Sequence, residues 1–94
     1  MIVTYPVIFI ETNDNKETVL IEVPDIEEAV SEGFGMRDAI EMARSLISDI
    51  LYDLIENDEE IPEPSDPEDI DIEEGRFFDA GISSIREVTV KIDE

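Results

Sequence analysis

The chain has 94 residues, 27 acidic and 6 basic, with no Cys and no His, and a formal charge of −21 at pH 7. The missing residue types exclude disulfides, thiolate metal sites, the commonest zinc ligand and the commonest general base. The charge far exceeds the magnitude of ~2–8 that suffices for solubility of a small domain; it disfavours direct nucleic-acid binding, which depends on neutralising phosphates, and points to a basic partner.

A hydrophobic content of 41% supports one folded domain, able to bury about 60–65% of the surface its unfolded chain exposes. Met1 leads straight into a strand-like run without a basic leader. The apolar runs fall far short of the ~20 residues a membrane span needs. These features predict a cytoplasmic protein.

Ile2 to Ile10 is β-branched and aromatic, with apolar residues on both faces, and predicts a strand covered on both sides. Pro6 cannot donate to a ladder, so that part of the strand belongs at an edge or near its start. Thr12 to Lys16 is a polar turn. Thr18 to Val23 alternates and completes a hairpin, which Pro24-Asp25 ends. Ala29 to Glu32 is a weak third strand bounded by Gly33-Phe34-Gly35.

The period then changes to 3.6. Met36, Ala39, Ile40, Ala43, Leu46, Ile47, Ile50, Leu51, Leu54 and Ile55 form a wide apolar stripe, with Gly35 as the expected N-cap. The resulting helix has about 22 residues and is roughly 33 Å long. From Glu56 to Glu74, eleven of nineteen residues are acidic and none is basic. Three prolines between Ile61 and Pro67 bar helix or central strand, although Pro67 can open one short helical turn at Glu68-Asp69. Ser84 to Asp93 alternates cleanly and predicts a last strand with one buried and one wet face. The order is β-β-β-α-β, an α+β antiparallel sheet with one long helix packed on it.

Abundant carboxylates call for a test of metal and acid chemistry. An EF-hand needs Gly at position 6 and Glu at position 12. Counting from Asp66 puts Asp71 at position 6, and counting from Asp69 puts Glu74 there. A two-metal nuclease needs carboxylates converging from separate elements, but the first strand has none before Glu11. With no His, the candidate bases for a nucleophile are Lys16 and Lys91, and neither has a convincing partner. Gly33 and Gly35 read as a turn before a helix, not a phosphate loop. The basic residues Lys16, Arg37, Arg44, Arg76, Arg86 and Lys91 are scattered, and the six aromatics read as core anchors. No catalytic, cofactor-binding or metal-binding residue is assigned.

Several local patterns coincide along nearly the whole chain. They are Tyr5-Pro6 in the first strand, Ile21-Glu22-Val23-Pro24-Asp25-Ile26, Val30-Ser31-Glu32-Gly33, Arg37 to Arg44 at the helix opening, Ile61-Pro62-Glu63-Pro64-Ser65 after it, and Ser84 to Val90. Together they resemble the HicB antitoxins. The resemblance implies a partial RNase H-like fold that lacks nuclease carboxylates. It also implies binding and inhibition of a HicA-like partner, a small basic mRNA-cleaving toxin with a catalytic His, by covering its RNA-binding surface.

Residues 1–94 are then expected to form a single toxin-neutralising domain with an acidic, Pro-containing loop at about 58–75. Family members often continue into a DNA-binding domain. This chain stops at Glu94, as a short member or a trimmed N-terminal domain, so operator binding is not assigned to it. Expected toxin contacts are Glu22, Asp25, Glu27, Glu28, Glu59, Glu60, Glu68, Asp69, Asp71 and Glu73. Asp66 to Glu74 matches no family role and reads either as a solvated loop or as a toxin-contacting arm. The resemblance implies no cofactor, no catalysis, no membrane and no direct nucleic-acid binding; a homodimer through the last strand stays open. The competing readings are an acidic nucleic-acid mimic that occupies another DNA- or RNA-binding protein and, more remotely, a degenerate metal nuclease.

Overall fold

The computed structural model describes residues 1–13 and 17–93. Most of the turn expected over Thr12–Lys16, including Lys16, lies outside them. Four strands, β1 (Ile2–Thr12), β2 (Thr18–Glu22), β3 (Val30–Phe34) and β4 (Gly81–Lys91), form one antiparallel sheet in the order β3-β2-β1-β4. A single α-helix, α1 (Gly35–Glu56), follows β3. Three 3-10 turns, Pro67–Asp69, Ile72–Glu74 and Phe78–Ala80, lead into β4.

The expected α+β order is the observed one, and the 22-residue helix has the expected length. Its periodicity explains its packing. Ala39, Ala43, Ile47 and Leu51 recur every fourth residue and are fully buried, so they form one ridge along the helix. Against that ridge lie Tyr5, Val7 and Phe9 of β1, Val19 and Ile21 of β2, and Val88 and Val90 of β4. Each large side chain removed from water this way contributes about 1.5–3 kcal/mol. The small residues Ala39 and Ala43 let the helix start close to β3. A Cβ on Gly33 would stand 2.7 Å from the Ala39 Cα.

The helix start differs from expectation. Phe34, with extended backbone, is the cap residue, and Gly35 is the first helical residue with φ of 80°. Phe34 has no capping side chain, so Asp38 reaches back and accepts the Phe34 N–H at 2.9 Å. The third strand likewise runs one residue later at its start and two at its end, because Gly33 and Phe34 pair with Val19 and Thr18.

Pro6 follows from hydrogen-bond phase. Met1 and Ile92 exchange both backbone bonds, at 2.8 and 2.7 Å, and the β1–β4 register continues unbroken from there. Odd-numbered residues of β1 therefore bond to β4, and even-numbered ones turn toward β2. Strand β2 reaches only as far as Ile8, opposite Glu22. The missing N–H of Pro6 thus points past the end of β2, where no ladder bond is lost. As expected, β1 is covered on both faces: Pro6, Ile8 and Ile10 are buried on the side away from α1.

Candidate functional site

The acidic segment after α1 lies on the sheet as a strap. Ile61 packs against the core beside the helix. The Tyr5 hydroxyl, rising from β1, donates to the Pro62 carbonyl at 2.5 Å. Asp25, in the turn after β2, accepts from both the Ser65 N–H at 2.8 Å and the Ser65 hydroxyl at 2.5 Å. Glu22 Oε1 accepts the Arg76 N–H at 2.9 Å. Between these anchors the chain turns locally. Pro67 opens a 3-10 turn capped by Asp66, and Asp71 caps the next; each carboxylate accepts the N–H two residues on at 3.0 Å. Ile70 and Ile72 are half-buried while the acids around them face solvent. A Cβ on Gly75 would come within 3.5 Å of Ile8 Cδ1, so the strap lies over the face of β1 opposite the helix.

Two of the expected contact residues therefore serve the chain's own backbone. Glu22 and Asp25 are half-buried, and each holds the strap down. Charged acceptors make the stronger class of hydrogen bond. Burial raises the pKa of the Tyr5 phenol, with the nearby charge of Asp25 as the second cause. The partners Pro62, Ser65 and Arg76 escape sequence reasoning because they lie 40 to 57 residues from the groups they bond.

The strap also gathers carboxylates. Glu22, Asp25, Asp69 and Asp71 line one open cleft of about 390 Å³, joined by Glu74 and floored by Ile8. Glu22, Glu27 and Glu28 border a neighbouring cleft of about 210 Å³ with Arg76 at its margin. Glu68 and Glu73 are exposed in the same 3-10 turns, while Glu59 and Glu60 are exposed just beyond α1 and line neither cleft. Among the described residues no group of three acids could hold a metal ion, and the one ion pair joins Arg44 to Glu41. Lys91 is exposed. No helix among the described residues is long and apolar enough to cross a membrane.

The arrangement is thus a sheet that presents acids whose side chains, Glu41 apart, form no ion pair among the described residues. Residues 5–93 match the family described as HicB_like antitoxin of bacterial toxin-antitoxin system. A chain of a toxin-antitoxin complex from Streptococcus pneumoniae is 31% identical, with a TM-score of 0.81 over 97% of this chain and 70% of that one. The N-terminal domain of the Burkholderia pseudomallei antitoxin HicB is 22% identical and has the same fold, with a TM-score of 0.64 over 98% of this chain and 100% of that one. A chain of a HicA3 and HicB3 toxin-antitoxin complex gives 22% identity and a TM-score of 0.65, with the same coverage. No curated protein matches by sequence. With residues 5–93, nearly every described residue, inside the family match, the chain belongs to the HicB-like antitoxins of bacterial toxin–antitoxin systems.

Proposed function

We propose that this chain binds a small, basic, HicA-like mRNA-cleaving toxin in the cytoplasm and inhibits it stoichiometrically, without catalysis, by covering its RNA-binding surface. The observation that carries the reading is the acidic rim around Pro24, where Asp69, Asp71 and Glu74 from the strap meet Glu22 of β2 and Asp25 of the turn after it. A cationic surface shaped for phosphates finds there a fixed array of carboxylates, already ordered by the fold. Opposite potentials of this kind speed encounter and set register, while the final affinity comes from a few buried anchors. Glu27 and Glu28 extend the rim. Glu22 and Asp25 act on the toxin chiefly by fixing the strap, and Glu68, Asp69, Asp71 and Glu73 face the approaching partner. Residues 1–94 act as one unit in this reading.

The test is charge reversal. Replacing Glu68, Asp69 and Glu73 together by Lys leaves the anchoring bonds of Asp25 and Glu22 and the turn-capping bonds of Asp66 and Asp71 in place. The expected result is at least a tenfold slower association with a basic HicA-like toxin, measured by stopped flow at low salt. An unchanged association rate would remove the strap from the encounter surface.

A further inference from the structure

We propose that the open upper half of the β4 edge, Ser83–Glu87, receives an extended segment of the basic partner as a fifth strand; this rests on the antitoxin reading above and names how the partner is held. Strand β4 ends the sheet, so one side of its backbone has no strand neighbour. The phase set by the Met1–Ile92 pair carries through the regular register. Ile82, Ser84, Arg86, Val88 and Val90 turn their backbone groups to β1, and Ser83, Ile85, Glu87, Thr89 and Lys91 turn theirs outward.

The lower part of that outer edge is guarded. Arg44 Nε donates to the Thr89 carbonyl at 3.4 Å, and the Asp93 N–H donates to the Tyr52 hydroxyl at 3.1 Å. Both guards come from α1, two helical turns apart on the side facing β4. Natural proteins shield long sheet edges because an open edge templates pairing. Here the shielding stops at Thr89. Above it, Ser83, Ile85 and Glu87 present an N–H and a carbonyl each. Ile82 beside them is 70% exposed, and the Ser83 hydroxyl is screened from solvent without a hydrogen-bond partner.

Charge selects the occupant. A second copy would bring together two bodies of charge −21. In the two-fold antiparallel registers centred on Arg86 or Glu87, it would also set like charges face to face, which is destabilising across a sheet. A cationic segment instead meets Glu87 and the acidic turns Pro67–Asp69 and Ile72–Glu74, which pack against β4. Strand addition would supply main-chain affinity there, and the acids supply the preference for a basic chain.

The test uses the full chain and a basic HicA-like toxin. In the complex, the amides of Ser83, Ile85 and Glu87 should exchange with solvent at least tenfold more slowly, as read residue by residue by NMR. Ile85→Pro removes one outward-facing N–H group and Glu87→Pro removes another together with a carboxylate, placements an edge strand tolerates; each should weaken binding at least tenfold, and Glu87→Gln, which keeps the N–H, should weaken it less. Thr89→Pro, at the guarded stretch, should bind within about twofold of the parent, since no partner strand reaches it. If the parent binds while these amides stay unprotected and both proline variants bind equally well, the strand addition is wrong and the antitoxin reading stands. If the parent binds no such protein, both fall. Concentration-dependent protection of the same amides without the partner, with a dimer by light scattering, assigns the edge to a second copy and overturns the proposal. Should either proline variant unfold, the exchange measurement on the parent decides alone.

Discussion

Asp25→Ala is the sharpest probe of how the strap is held. The carboxylate accepts two bonds from Ser65, at 2.8 and 2.5 Å, and bonds to a charged group contribute about 1.5–3 kcal/mol each. Asp25 is only half-buried, so water recovers part of the loss, and we expect a net cost of about 2–3 kcal/mol. For a domain of this size that lowers Tm by about 8–24 °C. Ser65→Ala removes the hydroxyl bond and keeps the N–H bond, so it should cost about 1 kcal/mol. The double variant should cost little more than Asp25→Ala alone, because the two residues act through one contact. Urea unfolding at pH 7 measures all three. Equal losses for the two single variants, or full additivity in the double, would refute the clasp. The same variants separate scaffolding from contact. If Asp25 acts on the toxin by fixing the strap, Ser65→Ala should slow association in proportion to its smaller structural effect. A binding loss confined to Asp25→Ala would make Asp25 a direct contact.

Two further expectations test the sheet and its helix. The folded-state pKa of Tyr5 is raised, by burial first and by Asp25 second, so the fold prefers the neutral phenol. Its contribution is complete below the unfolded value near 10 and fades as pH rises through the higher folded value. Tyr5→Phe should therefore lose about 0.5–1.5 kcal/mol at pH 7, where the bond to Pro62 is missing, and fall less steeply than the parent above pH about 10; parallel urea midpoints across that range would contradict this. Gly33→Ala puts a methyl 2.7 Å from backbone of α1, which must shift, at a cost of about 1–3 kcal/mol. Thermal melts should show the loss, and an unchanged Tm would mean that the helix does not press on β3.

Much of the fold is readable from pattern because its determinants are local. The alternation in Thr18–Val23 and Val88–Ile92, and the four-residue spacing from Ala39 to Leu51, state period and buried face together. Pro67 marks its own turn by fixing φ. The strap resists such reading. Ile70 and Ile72 are spaced like a strand, but they sit among acids that suggest solvent, and they become half-buried only once the sheet has assembled beneath the strap. Glu22 and Asp25 illustrate the same limit at the candidate site. As isolated acids they look like surface charge, and their roles appear only when Ser65 and Arg76 arrive from far along the chain. The half-guarded edge is subtler still. Which residues of β4 face outward depends on the phase of its pairing with β1, and Arg44 and Tyr52 give no sign in the sequence that they reach over that edge.

Salt should move stability and association in opposite directions, and this contrast tests the role of charge more directly than any one variant. The protein measures 41 × 25 × 18 Å. At 0.01 M salt the screening length is about 30 Å, so carboxylates across most of the molecule repel one another; at 1 M it is about 3 Å and they scarcely interact. Among the described residues the one ion pair is Arg44–Glu41, on the helix surface, and exposed pairs of that kind contribute at most about 1 kcal/mol. Screening thus relieves much repulsion and forfeits little attraction, and Tm should climb steadily with sodium chloride. The same screening weakens steering toward a cationic partner, whose association rate should drop by at least about tenfold across that range. If buried anchors and the proposed strand pairing govern dissociation, it should change far less. A Tm that falls with salt would require attractive networks that the described residues do not form. A rate insensitive to salt would mean that the acids stabilise nothing in the encounter and are present for the chain's own sake.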